Sequence, residues 1–143
     1  MRVSDILRSK GGAVVTIAPD ATVSEVVGVL AKFGVGALVV SRDGRSINGI
    51  VSERDVVRSM FEHGPTTLDL AAADIMTVDV VTSGPDATID ELMVTMTEGR
   101  FRHVPVTEAG RLAGIISIGD VVNARLRALE LETEQLTNYI SGR

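Results

Sequence analysis

Two short stretches of this chain spell nearly the same chemistry, GIVSERDVVR at 49–58 and GIISIGDVVN at 114–123. Each keeps a serine and, three positions on, an aspartate. Ser52 with Asp55, and Ser117 with Asp120, therefore fall on one side of the first turn of any helix that begins there. Residues so placed suit two tasks. One is a capping box, with aspartate in the place of the usual glutamate. The other is capture of a ribose phosphate: free amide hydrogens and the positive helix end attract phosphate, the serine hydroxyl adds a donor, and the carboxylate accepts from two vicinal hydroxyls. Spacing alone leaves both open.

The elements that must position these pairs are themselves written twice. VVTIAPDATVSEVV (14–27) lies over VVTSGPDATIDELM (80–93) at an offset of 66, and the offset drops to 65 after the turns RDGRSIN and EAGRLA. The lead-ins also agree, Asp5-Ile6-Leu7 with Asp74-Ile75-Met76, with three extra residues following in the first copy. Thr22 with Glu25, and Thr88 with Glu91, are T-x-x-E capping boxes that each open a helix of about three turns. GALVVS (36–41) and FRHVPVT (101–107) then turn at Asp43-Gly44 or Ala109-Gly110 into INGIVS or LAGIIS, which predicts two hairpins, each followed by a second helix. The expected fold class is α+β: a tandem, pseudo-two-fold duplication of a β-α-β-β-α unit, its two small sheets packed together. Residues 1–68 form the first repeat, 69–124 the second, and 125–143 a C-terminal helical extension.

Composition sets limits. The 143 residues, 45% hydrophobic, fit one domain or two small halves sharing a core. A formal net charge of −5 argues against a nucleic-acid partner, which would demand an excess of lysine and arginine. The lack of cysteine removes disulfides and thiolate metal sites, and two histidines 40 residues apart make a poor metal set, so no metal is expected. MRVSDILRSK carries no apolar h-region and no apolar run approaches the roughly 18 residues of a span, so the expected location is cytoplasmic, away from membranes. Neither a nucleophile elbow, a G-x-x-x-x-G-K-S/T loop nor a pair of catalytic carboxylates is present, and catalysis is not expected.

The tandem order, the G-h-h-S-x-x-D-h signature at Gly49 to Val56 and Gly114 to Val121, and the strand Arg100 to Val106 together resemble a cystathionine β-synthase (CBS) domain pair. The likeness covers residues 1 to about 124. It implies a stand-alone regulatory module binding adenosine-containing ligands (AMP, ATP, S-adenosylmethionine or NAD) in two clefts between the repeats, and signalling energy or redox state to a protein target in trans. By resemblance, Ser52 and Asp55 hold phosphate and ribose in the first cleft, Ser117 and Asp120 in the second. Thr16 with Ala18, and Thr82 with Gly84, take the matching places beside the base. Gly36, Ala37 and Arg54 complete the first set; Pro105 and Ile118 belong with the second.

The copies differ where Arg100, Arg102 and His103 stand against Gly34, Gly36 and Ala37. Alternation along a strand would put Arg100 and Arg102 on one face, ready to converge on a phosphate in the second cleft. Solvated edge arginines and a core histidine are the plain alternative. The first copy offers Glu53, Arg54 and Arg58, with an open wall expected at Gly34 and Gly36. Hence the second cleft is expected to take AMP, and the first AMP or a dinucleotide such as NAD(H). Charge-assisted hydrogen bonds at about 1.5 to 3 kcal/mol each are enough for the micromolar to millimolar affinity of a metabolite sensor.

Along the tail, Val122, Leu126, Leu129, Leu136 and Ile140, with Thr133 between, recur at heptad-like spacing on a predicted long helix. That stripe serves either a homodimer, which the resemblance favours, or a helix folded back on its own domain. His63-Gly64-Pro65 predicts a joining loop, with Thr66 or Thr67 capping the short helix beyond it. A ligand-independent, dimerising scaffold is the rival function. In it both S-x-x-D pairs would be helix caps only.

Overall fold

The computed structural model describes residues 1–11 and 14–142; residues 12, 13 and 143 lie outside the described set. Element order follows the duplication: α1 (Val3–Lys10), β1 (Thr16–Ile17), α2 (Val23–Phe33), β2 (Ala37–Val40), β3 (Gly49–Ser52) and α3 (Glu53–His63), then α4 (Ala72–Ile75), α5 (Ile89–Gly99), β4 (His103–Glu108), β5 (Arg111–Ser117) and α6 (Ile118–Ile140). Both threonine capping boxes close as expected. Thr22 Oγ1 accepts from the Glu25 amide and Thr88 Oγ1 from the Glu91 amide, each at 3.1 Å, while the glutamates accept from the threonine amides at 3.2 Å.

The first sheet runs β1-β2-β3, with β1 parallel to β2 and β2 antiparallel to β3; the second is the hairpin β4-β5. The second copy's early strand at 80–82 does not form. It is reduced to one parallel bridge, in which the Ser83 amide donates to Pro105 and Ser83 accepts from Thr107. Serine stands there where the first copy has buried Ile17, so little apolar surface draws that segment onto the sheet.

Each repeat's core is completed by the lead-in helix of the other. Val3 and Ile6 of α1 are buried with Leu92, Met96, Val104, Ile116 and Val121 of the second copy, whereas Ala72 of α4 is buried with Val26, Leu38, Val40 and Val51 of the first. The exchange is matched bond for bond. Val3 and Ser4 donate backbone hydrogen bonds to Ala87 and Pro85, as Ala72 and Ala73 donate to Ala21 and Pro19; Ile89 donates to Met1 as Val23 donates to Leu70. A cut at residue 68 therefore leaves each half without a helix its core uses.

This exchange explains the glycine that opens each G-h-h-S. A Cβ on Gly114 would collide with the Leu7 side chain, and one on Gly49 would lie 2.8 Å from the Thr77 carbonyl oxygen and hard against the Met76 thioether. Leu7 and Met76 are the equivalent lead-in residues. The glycines let the borrowed element close onto the last strand of its host.

The segment 64–69 is a 3-10 helix, and neither threonine caps α4. Thr66 Oγ1 donates to the His63 carbonyl at 2.8 Å, and the Thr67 hydroxyl is buried 3.1 Å from that of Ser59. The cap comes from Asp74, which accepts from the Ala71 amide at 2.8 Å. The C-terminal extension continues α6 without a break and does not fold back, since Val122, Leu126, Leu129, Leu136 and Ile140 are all exposed.

Ile6→Ala, which empties part of a core that α1 enters from outside, should cost about 2 to 5 kcal/mol of stability. Amide exchange locates that cost: protection is expected to fall first in β4–β5 rather than in β2–β3, and the reverse order would disprove the exchange.

Candidate functional site

Both S-x-x-D pairs form the capping box and still leave an oxygen free. Asp55 Oδ2 accepts from the Ser52 amide at 2.8 Å and its hydroxyl at 3.0 Å, while Ser52 Oγ accepts from the Asp55 amide at 3.3 Å. Asp120 Oδ2 accepts from the Ser117 amide at 2.9 Å, and Ser117 Oγ from the Asp120 amide at 3.1 Å. Among the described residues, no hydrogen bond reaches the Oδ1 atom of either aspartate. Capping and capture of a diol are thus compatible tasks for one carboxylate.

The starts of β2 and β4 fix what lies beside these pairs. The Gly36 carbonyl accepts from the Glu53 amide at 2.9 Å and the Arg102 carbonyl from the Ile118 amide at 2.8 Å, tying each strand start to the helix that follows its hairpin. The two starts then meet. A Cβ on Gly36 would lie 3.3 Å from His103 Cε1 and 3.2 Å from Glu53 Oε1, so of the wall expected to be open at Gly34 and Gly36 the second half is covered, while a Cβ on Gly34 would meet nothing within 4 Å.

This meeting redistributes the basic residues. Arg100, Arg102 and His103, assigned from sequence to the cleft of Ser117 and Asp120, line a cavity of about 240 Å³ together with Ser52, Arg54, Asp55 and Arg58. Arg54, Arg58, Arg100 and Arg102 all line it, and among the described residues none of them makes an ion pair. Ile50, Val80, Val81 and Phe101 give the same cavity an apolar wall. Arg102 and His103 also reach the second cleft, where Ser117, Ile118 and Asp120 line a cavity of about 450 Å³.

Nor is Arg100 a strand residue. It is the C-terminal cap of α5, at φ 56° and ψ 36°, matching Gly34 at the end of α2 with φ 63° and ψ 37°. Left-handed geometry suits glycine and costs an arginine about 1 kcal/mol. The alternation expected of Arg100 and Arg102 fails because the chain is still leaving the helix at residue 100. Strain kept at a cavity wall points to a use for the side chain.

The residues expected beside the base lie elsewhere. Thr16 pairs with Val39 in β1, Ala18, Thr82 and Gly84 are exposed, and Pro105 is buried in β4 opposite Ile115. None of them lines either cleft. Their neighbours do. Val80 and Val81 line the cleft of Ser52, and Val14 and Val15 line an apolar cavity of about 170 Å³ beside β5. Val80 and Val81 thus bring apolar surface of the second repeat to the serine and aspartate of the first, and Val14 and Val15 bring first-repeat surface beside β5 of the second. Thr77, Phe101 and Lys10 also line these cavities; for Lys10, the three extra residues after the first lead-in were the sole signal in the sequence.

Opposing influences act on the Asp120 carboxyl. Burial alone would raise the Asp120 carboxyl, but the Ser117 amide and the Lys10 ammonium, 2.9 Å away, hold it below the ordinary carboxylate value. For His103 burial is the leading cause of a value below 6.5, with Arg102 and Lys10 adding to it and Glu53 and Asp120 opposing. The imidazole is kept neutral between the clefts. Among the described residues, no group of three or more histidines and carboxylates could hold a metal ion, and no helix is long and apolar enough to cross a membrane.

The sequence model of the CBS domain matches residues 3–62 and 72–127. A mitochondrial CBS domain-containing protein of Arabidopsis thaliana is 34% identical, over 98% of this chain and 72% of its own length. A CBS-domain containing protein of Agrobacterium tumefaciens superposes with a TM-score of 0.83 at 49% identity, over 87% of this chain and 92% of that one. A CBS domain protein of Pyrobaculum aerophilum, whose crystal structure is a complex with AMP, gives 0.79 at 32% identity, over 93% and 99%.

The neutral histidine has a measurable consequence. Its folded value lies below 6.5, so at lower pH the unfolded chain binds the proton more readily, and His103 lowers stability as pH falls from about 6.5 toward its folded value. NMR titration of the His103 imidazole should give a midpoint below 6.5; a midpoint above it would mean that Glu53 and Asp120, not burial, govern the ring.

Proposed function

Because this chain belongs to the CBS-domain family as a tandem pair, we propose that it is a regulatory module that binds an adenine nucleotide, first of all in the cleft of Ser52 and Asp55. One observation carries this reading: a single cavity joins an apolar wall, an S-x-x-D pair and four arginines, with one carboxylate oxygen free and no arginine in an ion pair among the described residues. The adenine lies against Ile50, Val80 and Val81, the ribose hydroxyls donate to Asp55 Oδ1, and the phosphate meets the α3 amides with Arg54 and Arg100. The AMP complex of the Pyrobaculum relative supports the ligand class.

AMP suits the cleft, and ATP could employ more of the arginines. At Gly36 the first cleft is narrowed by Glu53 and His103, so a dinucleotide such as NAD(H) would have to extend elsewhere along it. The function is sensing rather than catalysis. Nucleotide binding shifts the relative placement of the repeats, and a protein target in trans reads the change. Self-association into a homodimer belongs to the same reading, supported by the exposed heptad-like stripe of α6.

Calorimetry on nucleotide-free protein with AMP, ATP and NAD+ tests this directly. AMP or ATP should bind in the micromolar to millimolar range, and Asp55→Ala, which removes the acceptor for two hydroxyls, should weaken binding at least tenfold, as expected for charge-assisted bonds of about 1.5 to 3 kcal/mol. Failure of every nucleotide to bind would leave the serine–aspartate pairs as helix caps of a scaffold. Arg100→Gly makes a sharper test. It should stabilise the fold by about 0.5 to 1 kcal/mol by relieving left-handed geometry, yet weaken the nucleotide; an arginine with no ligand role would give the first effect alone.

A further inference from the structure

The two clefts differ in one contact that the duplication does not repeat. Lys10, at the end of α1, donates from Nζ to Asp120 Oδ2 and to the Ile115 carbonyl, each at 2.9 Å. In the first cleft the equivalent carbonyl, that of Ile50, accepts from the Thr77 backbone amide at 2.9 Å, and no cation touches Asp55 among the described residues. Chain length produces the difference. After the matching lead-in residues Leu7 and Met76, α1 runs on through Arg8, Ser9 and Lys10, whereas α4 has already ended at Ile75 and Thr77 turns onto β3. The first lead-in thus projects an ammonium where the second lays down backbone.

Lys10 also stands where the space divides, with Val35, Ala37 and Ile115. In the first cleft the apolar wall and the serine–aspartate pair face one cavity. In the second they are separate: Val14, Val15 and Leu38 line one cavity, Ser117 and Asp120 another, and Lys10 lines both. A nucleoside phosphate there must span the two, past Lys10. With its side chains 38% and 22% exposed, the Lys10–Asp120 pair is open enough to water for a ligand to displace it, but displacement is added to the cost of binding.

We propose that Lys10 is a resident occupant of the second cleft, a lysine latch that ranks the two sites, so that adenine nucleotide fills the Ser52–Asp55 cleft first and the Ser117–Asp120 cleft only at much higher concentration. This rests on the nucleotide-binding reading of the same clefts. Lys10 is a specificity-determining residue, and it acts by holding the carboxylate that ribose hydroxyls would otherwise take. Three added residues in one lead-in turn a symmetric pair of sites into a graded one.

Calorimetric titration of the full-length chain with AMP separates the possibilities, using the parent, Lys10→Gln, Lys10→Met and each of these combined with Asp55→Ala. Gln keeps a donor for the Ile115 carbonyl and Met keeps the aliphatic stem, so one variant folds even if the other does not. The parent should bind one AMP per chain at least tenfold more tightly than a second. Both Lys10 variants should bring the second site to within about threefold of the first, and in the Asp55→Ala background they should restore the binding that Asp55→Ala alone weakens. If AMP still binds the parent but the Lys10 variants leave the second site unchanged, the latch is wrong while the nucleotide reading stands. A second site weakened by the variants would make Lys10 a phosphate ligand and also overturn the latch. No AMP bound by any protein would end both.

Discussion

The structure depends on an exchange: the helix that precedes each repeat completes the core of the other. Val3 and Ile6 are buried among second-copy residues and Ala72 among first-copy residues, held by matching pairs of backbone hydrogen bonds. A unit of about 60 residues buries too little apolar surface to stand comfortably alone, and borrowing a helix enlarges each core without lengthening the chain. Steric cost is avoided by glycine at 49 and 114, where any side chain would meet the borrowed element. The G of G-h-h-S therefore belongs to packing and the S-x-x-D to the site, although the motif writes them together.

Both clefts follow from that exchange. Each is walled by the segment after a borrowed helix and by the serine and aspartate of the host, so neither belongs to a single repeat. Where the two central strands begin, Gly36 and His103 come close, and the imidazole is half-buried between sites, its proton affinity lowered by that burial. Departures from symmetry act with unusual force here. Arginine for glycine at the end of α5 adds Arg100 to three other arginines lining one cleft, none of them in an ion pair among the described residues, and three extra residues at the end of α1 give the other cleft a lysine paired with Asp120.

Much of this was legible from sequence because it is local. The capping boxes at Thr22 and Thr88, the hairpins, and the serine–aspartate geometry depend on residues within a few positions of one another, and each formed as its spacing implied. What failed was long-range. Arg102 and His103 do reach the second cleft as expected, but Arg100 lines only the first and all three line the first as well, because spacing carries no information about exchange. Arg100 was also read as strand because its side chain gave no hint of the left-handed cap that glycine at position 34 would have signalled. The weak early strand of the second copy turned on a single residue, Ser83 in place of Ile17, too small a change to outweigh the repeated Val-Val-Thr.

The central claim is that the exchanged architecture builds one open nucleotide cleft, at Ser52 and Asp55. Determining the structure of the protein with AMP present at a few times its dissociation constant for the tighter site tests this most directly. The expected result is adenosine against Val80 and Val81 with its ribose on Asp55 and its phosphate toward Arg54 and Arg100, while Lys10 remains on Asp120. AMP lodged beside Ser117 and Asp120 with the first cleft empty would contradict it.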